Sequence, residues 1–232
     1  MATSGSVDWT VSRDTIIKAA LRSIGAIATG ETPSADEIAE ASEALNFMVK
    51  GWQSEGIGIW LIDTSEITLV ADQQSYTMGV GGDLAIVRPL EIIEARFYNA
   101  TSTNETHIFN ISWDEYMSYP DKATKGTPTN FHYKPNLALG VFYIWPVWDG
   151  TAVDTIRFSF KTEVEDFDAA ANTPDFPKEW YRALKYNLAI ELAPEYGKEP
   201  TAHQMRLAVE SKFNSSAYDR EKTSVYFALE RR

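Results

Sequence analysis

SADEIAEASEALNFMVKGWQSEG, residues 34–56, decides how the chain begins to fold. Ser34 and Glu37 form an S-x-x-E pair, in which hydroxyl and carboxylate satisfy orphan amides at a helix start. Behind them Ile38, Ala41, Leu45, Met48, Val49 and Trp52 recur at three- and four-residue spacing until Gly56, so one apolar face runs along the helix. Upstream, Ser12 caps a shorter pattern of Ile16, Ile17, Ala20, Leu21 and Ile24 that ends near Gly25 to Gly30. The Gly30-Glu31-Thr32-Pro33 link is short enough to make the two helices antiparallel neighbours. Far downstream the helical period returns in PKEWYRALKYNLAIELA, residues 177–193. Trp180, Leu184, Leu188 and Leu192 share one stripe there, and Ala183, Ala189 and Ala193 allow close approach. Pro194 to Pro200 breaks this helix, and Thr201 caps a last one through Met205, Ala208, Val209 and Phe213, with the pattern lost after Ser215 and Ser216.

Between these helical ends the period changes to two. Short β-type runs at 66–70, 75–78, 90–98, 106–111, 131–133, 139–145 and 155–160 are punctuated by Gly, Pro and Asp. Alternation is plain in Val141, Tyr143, Trp145 and in Ile156, Phe158, Phe160, the mark of strands with one buried face. Residues 113–119 read as a short helix and 122–129, with Gly126 and Pro128, as an exposed loop. The fold class is therefore α+β: a helical bundle formed by the N- and C-terminal segments, with an inserted antiparallel, β-rich, sandwich-like domain. The boundaries expected are 10–56 plus 176–222 for the helical domain, 57–175 for the insert and 223–232 for a tail.

The chain has 232 residues, 44% of them apolar, and a net charge of −12. The acidity sits in the middle: residues 57–175 hold seven Lys and Arg against seventeen Asp and Glu, whereas 176–232 is net basic. Affinity for phosphate comes mainly from Lys and Arg, so direct nucleic-acid readout is disfavoured. With no Cys, thiol catalysis, Cys-ligated zinc and iron–sulfur clusters are excluded. The first ten residues lack a basic n-region and an apolar h-region, and no apolar run is long enough for a span, so neither a signal peptide nor a membrane helix is expected. The N-x-Ser/Thr matches at Asn99, Asn104, Asn110 and Asn214 then carry no meaning as glycosylation sites.

The candidates for chemistry are weak. His107, His132 and His203 lack the spacing of a metal site. Glu163, Glu165, Asp166 and Asp168 could hold a hard cation but lack the Gly and terminal Glu of a calcium loop, and read as a solvated acidic turn. Gly79-Val80-Gly81-Gly82-Asp83 lacks the Lys-Ser/Thr of a phosphate loop and reads as a β-turn. No G-x-S-x-G elbow is present. Paired carboxylates for glycoside hydrolysis stay open, with Asp114, Glu115, Asp154 and Glu163 as examples. So does a sugar-stacking platform built from Trp60, Trp113, Trp145, Trp148, Tyr98, Tyr143 and Phe142, against the reading that most of these rings are core. No metal or cofactor is expected.

Two stretches carry a resemblance. Gly30-Glu31-Thr32-Pro33 leading into residues 40–48, Trp52 and Gly56, together with Pro177-Lys178-Glu179-Trp180 and residues 183–197, resembles the head-to-tail adaptor proteins of tailed phages. That family includes the tail accessory factors and tubular tail protein A of short-tailed phages. The β-rich middle fits longer members, in which an all-β domain interrupts the helical one. The resemblance implies a non-enzymatic virion structural protein of the neck, assembled in the host cytoplasm. It implies a homo-dodecameric ring beneath the portal protein that continues the DNA channel and carries a downstream tail nozzle or tail fibre protein. It also implies a C-terminal segment that docks on the portal. Val225, Tyr226, Phe227, Leu229, Arg231 and Arg232 are the residues assigned to that docking, and Leu45, Met48, Trp52, Trp180, Leu184 and Leu188 those assigned to helical-domain packing and ring assembly. The charge fits: an acidic lumen lets double-stranded DNA pass without sequence-specific binding, within a screening length of about 8 to 10 Å. The competing classes are a wall-degrading glycoside hydrolase and a carbohydrate-binding module of a phage tail.

Overall fold

A computed structural model describes residues 5–56, 58–150 and 152–219. The portal-docking residues assigned above, 225–232, lie outside them. In chain order the helices and strands are α1 (Arg13–Ser23), α2 (Ala35–Ser54), β1 (Ile62–Thr68), β2 (Ser75–Met78), β3 (Glu91–Asn99), β4 (Asn104–Asn110), α3 (Trp113–Ser118), β5 (Asn130–Pro135), β6 (Gly140–Trp145), β7 (Thr155–Lys161), α4 (Tyr181–Leu192) and α5 (Ala202–Tyr218). The fold is mixed α+β, and the chain divides into two compact units. One comprises Met1–Trp60 with Val164–Arg232, the other Leu61–Glu163.

In the helical unit, local chemistry sets the starts. Ser12 accepts from the Thr15 amide at α1, Ser34 and Glu37 close a full capping box at α2, and Thr201 and Gln204 close a second at α5. Helix α4 is the element the others share: α1, α2 and α5 all pack on it. Its Leu184, Leu188 and Leu192 are fully buried, as are Ile17, Leu21 and Leu45 opposite them. An aromatic knot closes one end, with Trp180 ring centroids 5.7 Å from Trp52, 5.5 Å from Trp60 and 5.9 Å from Phe176. The Arg13 guanidinium is buried in the same unit, donating to Ser42 Oγ and the Phe167 carbonyl and pairing with Asp14 at 2.9 Å.

Helix α5 departs from the sequence reading. It runs on through Ser215 and Ser216 to Tyr218, and its buried positions are Ala208, Ser211 and Ser215. Two hydroxyls make this workable inside: Ser211 Oγ donates to the Ala208 carbonyl and Ser215 Oγ to the Glu179 carbonyl. Small side chains let α5 approach α4 closely, while Met205, Val209 and Phe213 point outward.

The other unit is built on one seven-stranded sheet in the order β1-β7-β3-β4-β5-β6-β2. The expectation of an antiparallel sheet holds for every ladder but one, since β4 and β5 pair in parallel at Phe109↔Asn130 and Asn110↔Phe131. The long connection from 111 to 129, which contains α3, permits that crossover, whereas the hairpin at 100–103 forces β3 and β4 to be antiparallel. The sheet curls. Phe142 on β6 and Phe158 on β7 have three strands between them in the ladder, which in a flat sheet sets them roughly 19 Å apart at ordinary strand spacing. Their rings lie 6.0 Å apart. The enclosed core is Ile67, Tyr76, Met78, Phe97, Ile108, Phe131, Phe142, Ile144, Ile156, Phe158 and Phe160, with Trp148 over Phe97 at 5.4 Å.

Three consequences can be measured. Trp180→Ala empties the knot at the start of α4 and is expected to cost about 3–5 kcal/mol of stability in chemical denaturation. A Cβ added at Gly140 collides with the hydroxyl end of the Tyr133 ring, so Gly140→Ala is expected to cost about 1–3 kcal/mol. Burial pushes the Tyr133 phenol up to about 12 from its ordinary 10, against a lowering by Arg88. The folded state therefore holds this proton more tightly than the unfolded one. That stabilisation is complete below pH 10 and disappears as the pH climbs through about 12. Tyr133→Phe should remove this alkaline loss in melting curves while forfeiting the bond to the Pro89 carbonyl, worth about 1 kcal/mol at neutral pH.

Candidate functional site

Most of the residues that were candidates for chemistry have structural partners. Asp154 is fully buried, and its carboxylate accepts from the Ala100 amide at 2.8 Å, tying down the turn between β3 and β4. Glu163 pairs with Arg88. Asp114 and Glu115 occupy the first turn of α3, where negative charge favours the helix dipole. In the acidic run, Asp166 pairs with Lys50 at 2.9 Å and Asp168 accepts from Asn172. Among the described residues no group of three or more His, Asp and Glu has the arrangement of a metal site. The Gly79–Asp83 segment folds back on β2. The Asp83 carboxylate accepts from both the amide and the hydroxyl of Thr77, and these bonds hold its pKa below the usual carboxylate value. His132 Nδ1 contacts the Ile111 carbonyl, His107 packs edge-on against Phe109 and His203 lies beside Arg206.

The aromatic platform is dispersed. Trp60 belongs to the helical unit's knot, and Phe142 and Trp148 are core. Trp113, Tyr116 and Tyr143 form a layer that fastens α3 over the outer face of β5 and β6, with Tyr119 stacked on Trp145 at 4.1 Å. Tyr98 lies 3.8 Å beneath the Arg157 guanidinium. Arg157 in turn bridges Glu105 on β4 at 2.8 Å and Glu66 on β1 at 3.3 Å, and its hydrogen bond to Glu105 is the main cause holding its proton on. Glu94 and Arg96 continue this charged lattice across the exposed face of the sheet.

What remains is surface. The six helical residues assigned to packing and assembly, Leu45, Met48, Trp52, Trp180, Leu184 and Leu188, are at most 7% exposed, so their contacts are internal to the subunit. The side chains available to a neighbour are different ones. On α2, Phe47 is 68% exposed in a groove lined by Glu40, Glu43, Ala44 and Glu195. Glu37 and Glu40 come close enough to Tyr196 to raise its phenol further, after burial has done most of it. On α5, Met205, Val209 and Phe213 are 47, 69 and 64% exposed. Beside them runs a groove bounded by Glu55, Asn187, Lys212 and Ser216, in which Lys212 binds Glu55 at 2.9 Å and sits 5.0 Å above the Trp52 ring. The outward turn of α5 was missed in the sequence because hydrophobicity alone assigns its large side chains inward. The run of small residues at 208, 211 and 215 was the available signal.

No helix among the described residues is long and apolar enough to cross a membrane. None of the curated proteins matches the chain. A family model does match, described as SU10 adaptor protein, and it runs from residue 12 to 229, across the helical segments and everything between them. The match covers nearly the whole chain, and the chain belongs to the SU10 adaptor protein family, a structural, phage-adaptor type of protein.

Proposed function

We propose that this protein is a head-to-tail adaptor that forms a ring under the portal, extends the DNA channel and anchors the tail. The observation that carries the reading is the family match over residues 12–229, which spans both distant helical segments and the insert. In this reading the domains are those expected from the sequence, 10–56 with 176–222 and 57–175, with their borders moved so that Trp60 and the run 164–175 go with the helices and 61–163 forms the insert, and a tail at 223–232. The four helices α1, α2, α4 and α5 act as a bundle that makes the ring and meets the portal. The sandwich-like β insert faces outward or toward the next tail component, a nozzle or fibre protein. Mechanism here is geometry and charge. Twelve copies match a dodecameric portal, and the acidity of 57–175 leaves passing double-stranded DNA without phosphate anchors. The site of action is the virion neck, after assembly in the host cytoplasm.

The segment 223–232 supplies the portal anchor. It carries Val225, Tyr226, Phe227 and Leu229 with the cations Arg231 and Arg232, and Arg220 and Lys222 stand just before it. Burying those apolar side chains offsets the entropy of ordering the chain on its partner. Light scattering coupled to size exclusion tests this directly on the chain alone, with a cognate portal ring, and with the portal after removal of 223–232. A complex of fixed twelvefold stoichiometry that disappears on truncation is the expected result. A full-length chain that stays monomeric beside the portal overturns the reading.

A further inference from the structure

Two faces of the helical unit carry features its own packing does not use. On α2, Asp36, Glu40, Glu43 and Phe47 fall at i, i+4, i+7 and i+11, one outward stripe with an aromatic at its C-terminal end. Glu195 adds a further carboxylate beside Phe47. Among the described residues none of these four acids belongs to an ion pair. On α5, Met205, Val209 and Phe213 form an apolar stripe, with His203 and Arg206 toward its N-terminal end. Arg206 pairs with Glu210 on its own helix, at 3.6 Å between exposed groups, which holds it weakly.

The two stripes match in spacing and in direction. Glu40 precedes Phe47 by seven residues, and Arg206 precedes Phe213 by seven, about 10 Å of helix rise in each case. Within the subunit α2 and α5 point the same way. The Trp52 ring near the end of α2 meets Trp180, at the start of α4, and near the end of α5 Ser215 donates to the Glu179 carbonyl at that same start. Lys212 then joins the two C-terminal ends through Glu55. With a ring axis along the helices, direction is preserved from copy to copy, and α2 of one subunit would meet α5 of the next in parallel. In that alignment Glu40 and Glu43 face the Arg206 guanidinium, which also contacts His203 Nδ1 at 3.2 Å, and Phe47 faces Val209 and Phe213.

We propose that these faces are the two halves of a head-to-tail contact between copies of this chain, with Phe47 entering the groove beside Val209 and Phe213 and with Glu40 and Glu43 facing Arg206 and His203 of the neighbour. The proposal rests on the ring reading above and names the surfaces that build the ring. A heterologous contact of this kind closes into a ring when its rotation closes. A two-fold contact of α2 with α2 is opposed by its own carboxylates.

The absence of Cys makes the test clean. Phe47→Cys and Val209→Cys are made singly and together in the full chain, assembled on a cognate portal ring, treated with a short bis-maleimide and run on a denaturing gel. Both positions are exposed, so the fold is expected to survive, as circular dichroism will show. The double variant should give a ladder extending beyond the dimer, because each copy carries both halves, and each single variant only monomer. Either of two results overturns the contact: a ring present by light scattering whose double variant stays monomeric on the gel, or dimers from a single variant, the sign of a two-fold contact. If the unsubstituted chain forms no ring on the portal in the same scattering measurement, the adaptor reading itself fails and the contact falls with it.

Discussion

Trp180 is 1% exposed, and the rings around it come from distant parts of the sequence: Trp52 and Trp60 from one end of the chain, Phe176 from the other. Everything in the helical unit depends on that meeting. Neither terminal segment can bury its apolar stripe alone, because α1 and α2 present only one side of a core and α4 is apolar along a stripe that needs covering by several helices. Closing the unit therefore fixes the two ends of a long intervening chain next to each other. Loop-closure entropy rises only slowly with length, so a curled sheet of about a hundred residues is an inexpensive insertion there. The insert has its own core and its own edge management, with β2 shielded by the Gly79–Leu84 turn.

Much of this was legible because the determining signals are local. The S-x-x-E pair at Ser34, the stripe from Trp180 to Leu192 and the alternation of Ile156, Phe158 and Phe160 each specify an element from within a few residues. What was not legible depends on partners far away in sequence. Trp60 lies at the edge of the β-rich stretch, yet it belongs to the helical knot, and only the spatial return of Phe176 and Trp180 assigns it there. The parallel pairing of β4 with β5 has no local mark, since each strand carries the same alternation it would show in an antiparallel ladder. Among the site residues, sequence periodicity found those that face inward. Leu45, Leu184 and Leu188 are core, as their spacing demands, and a core side chain is for that reason not the one a neighbour touches. Asp154 illustrates the opposite case, a charged residue with nothing in its spacing to reveal that it would be buried on a turn amide.

The acidity of the β insert is held in a patterned way. Arg157 sits on Tyr98 and draws Glu66 and Glu105 from two different strands, so a cation in the middle of the sheet organises carboxylates across it. Exposed pairs of this kind add little stability each, and their effect is to fix where charge stands. The exposed face of the sheet thus holds its charges in a fixed pattern of carboxylates gathered around Arg157.

Helix α5 makes the argument for assembly most directly. An ordinary surface helix hides its large apolar side chains and shows its small polar ones. This one hides Ala208, Ser211 and Ser215, satisfying both hydroxyls with carbonyls, and shows Met205, Val209 and Phe213. Packing within the subunit explains the small side, because a leucine at 211 or 215 would push α5 away from α4, but it does not explain the large apolar side chains on the other. The close approach keeps the helix firmly on its own core while leaving its outer stripe for something else. A helix that buries small residues against its own core and shows large apolar ones on its other side has a face left over for a second body, and it is this face that the proposed contact gives to the next subunit.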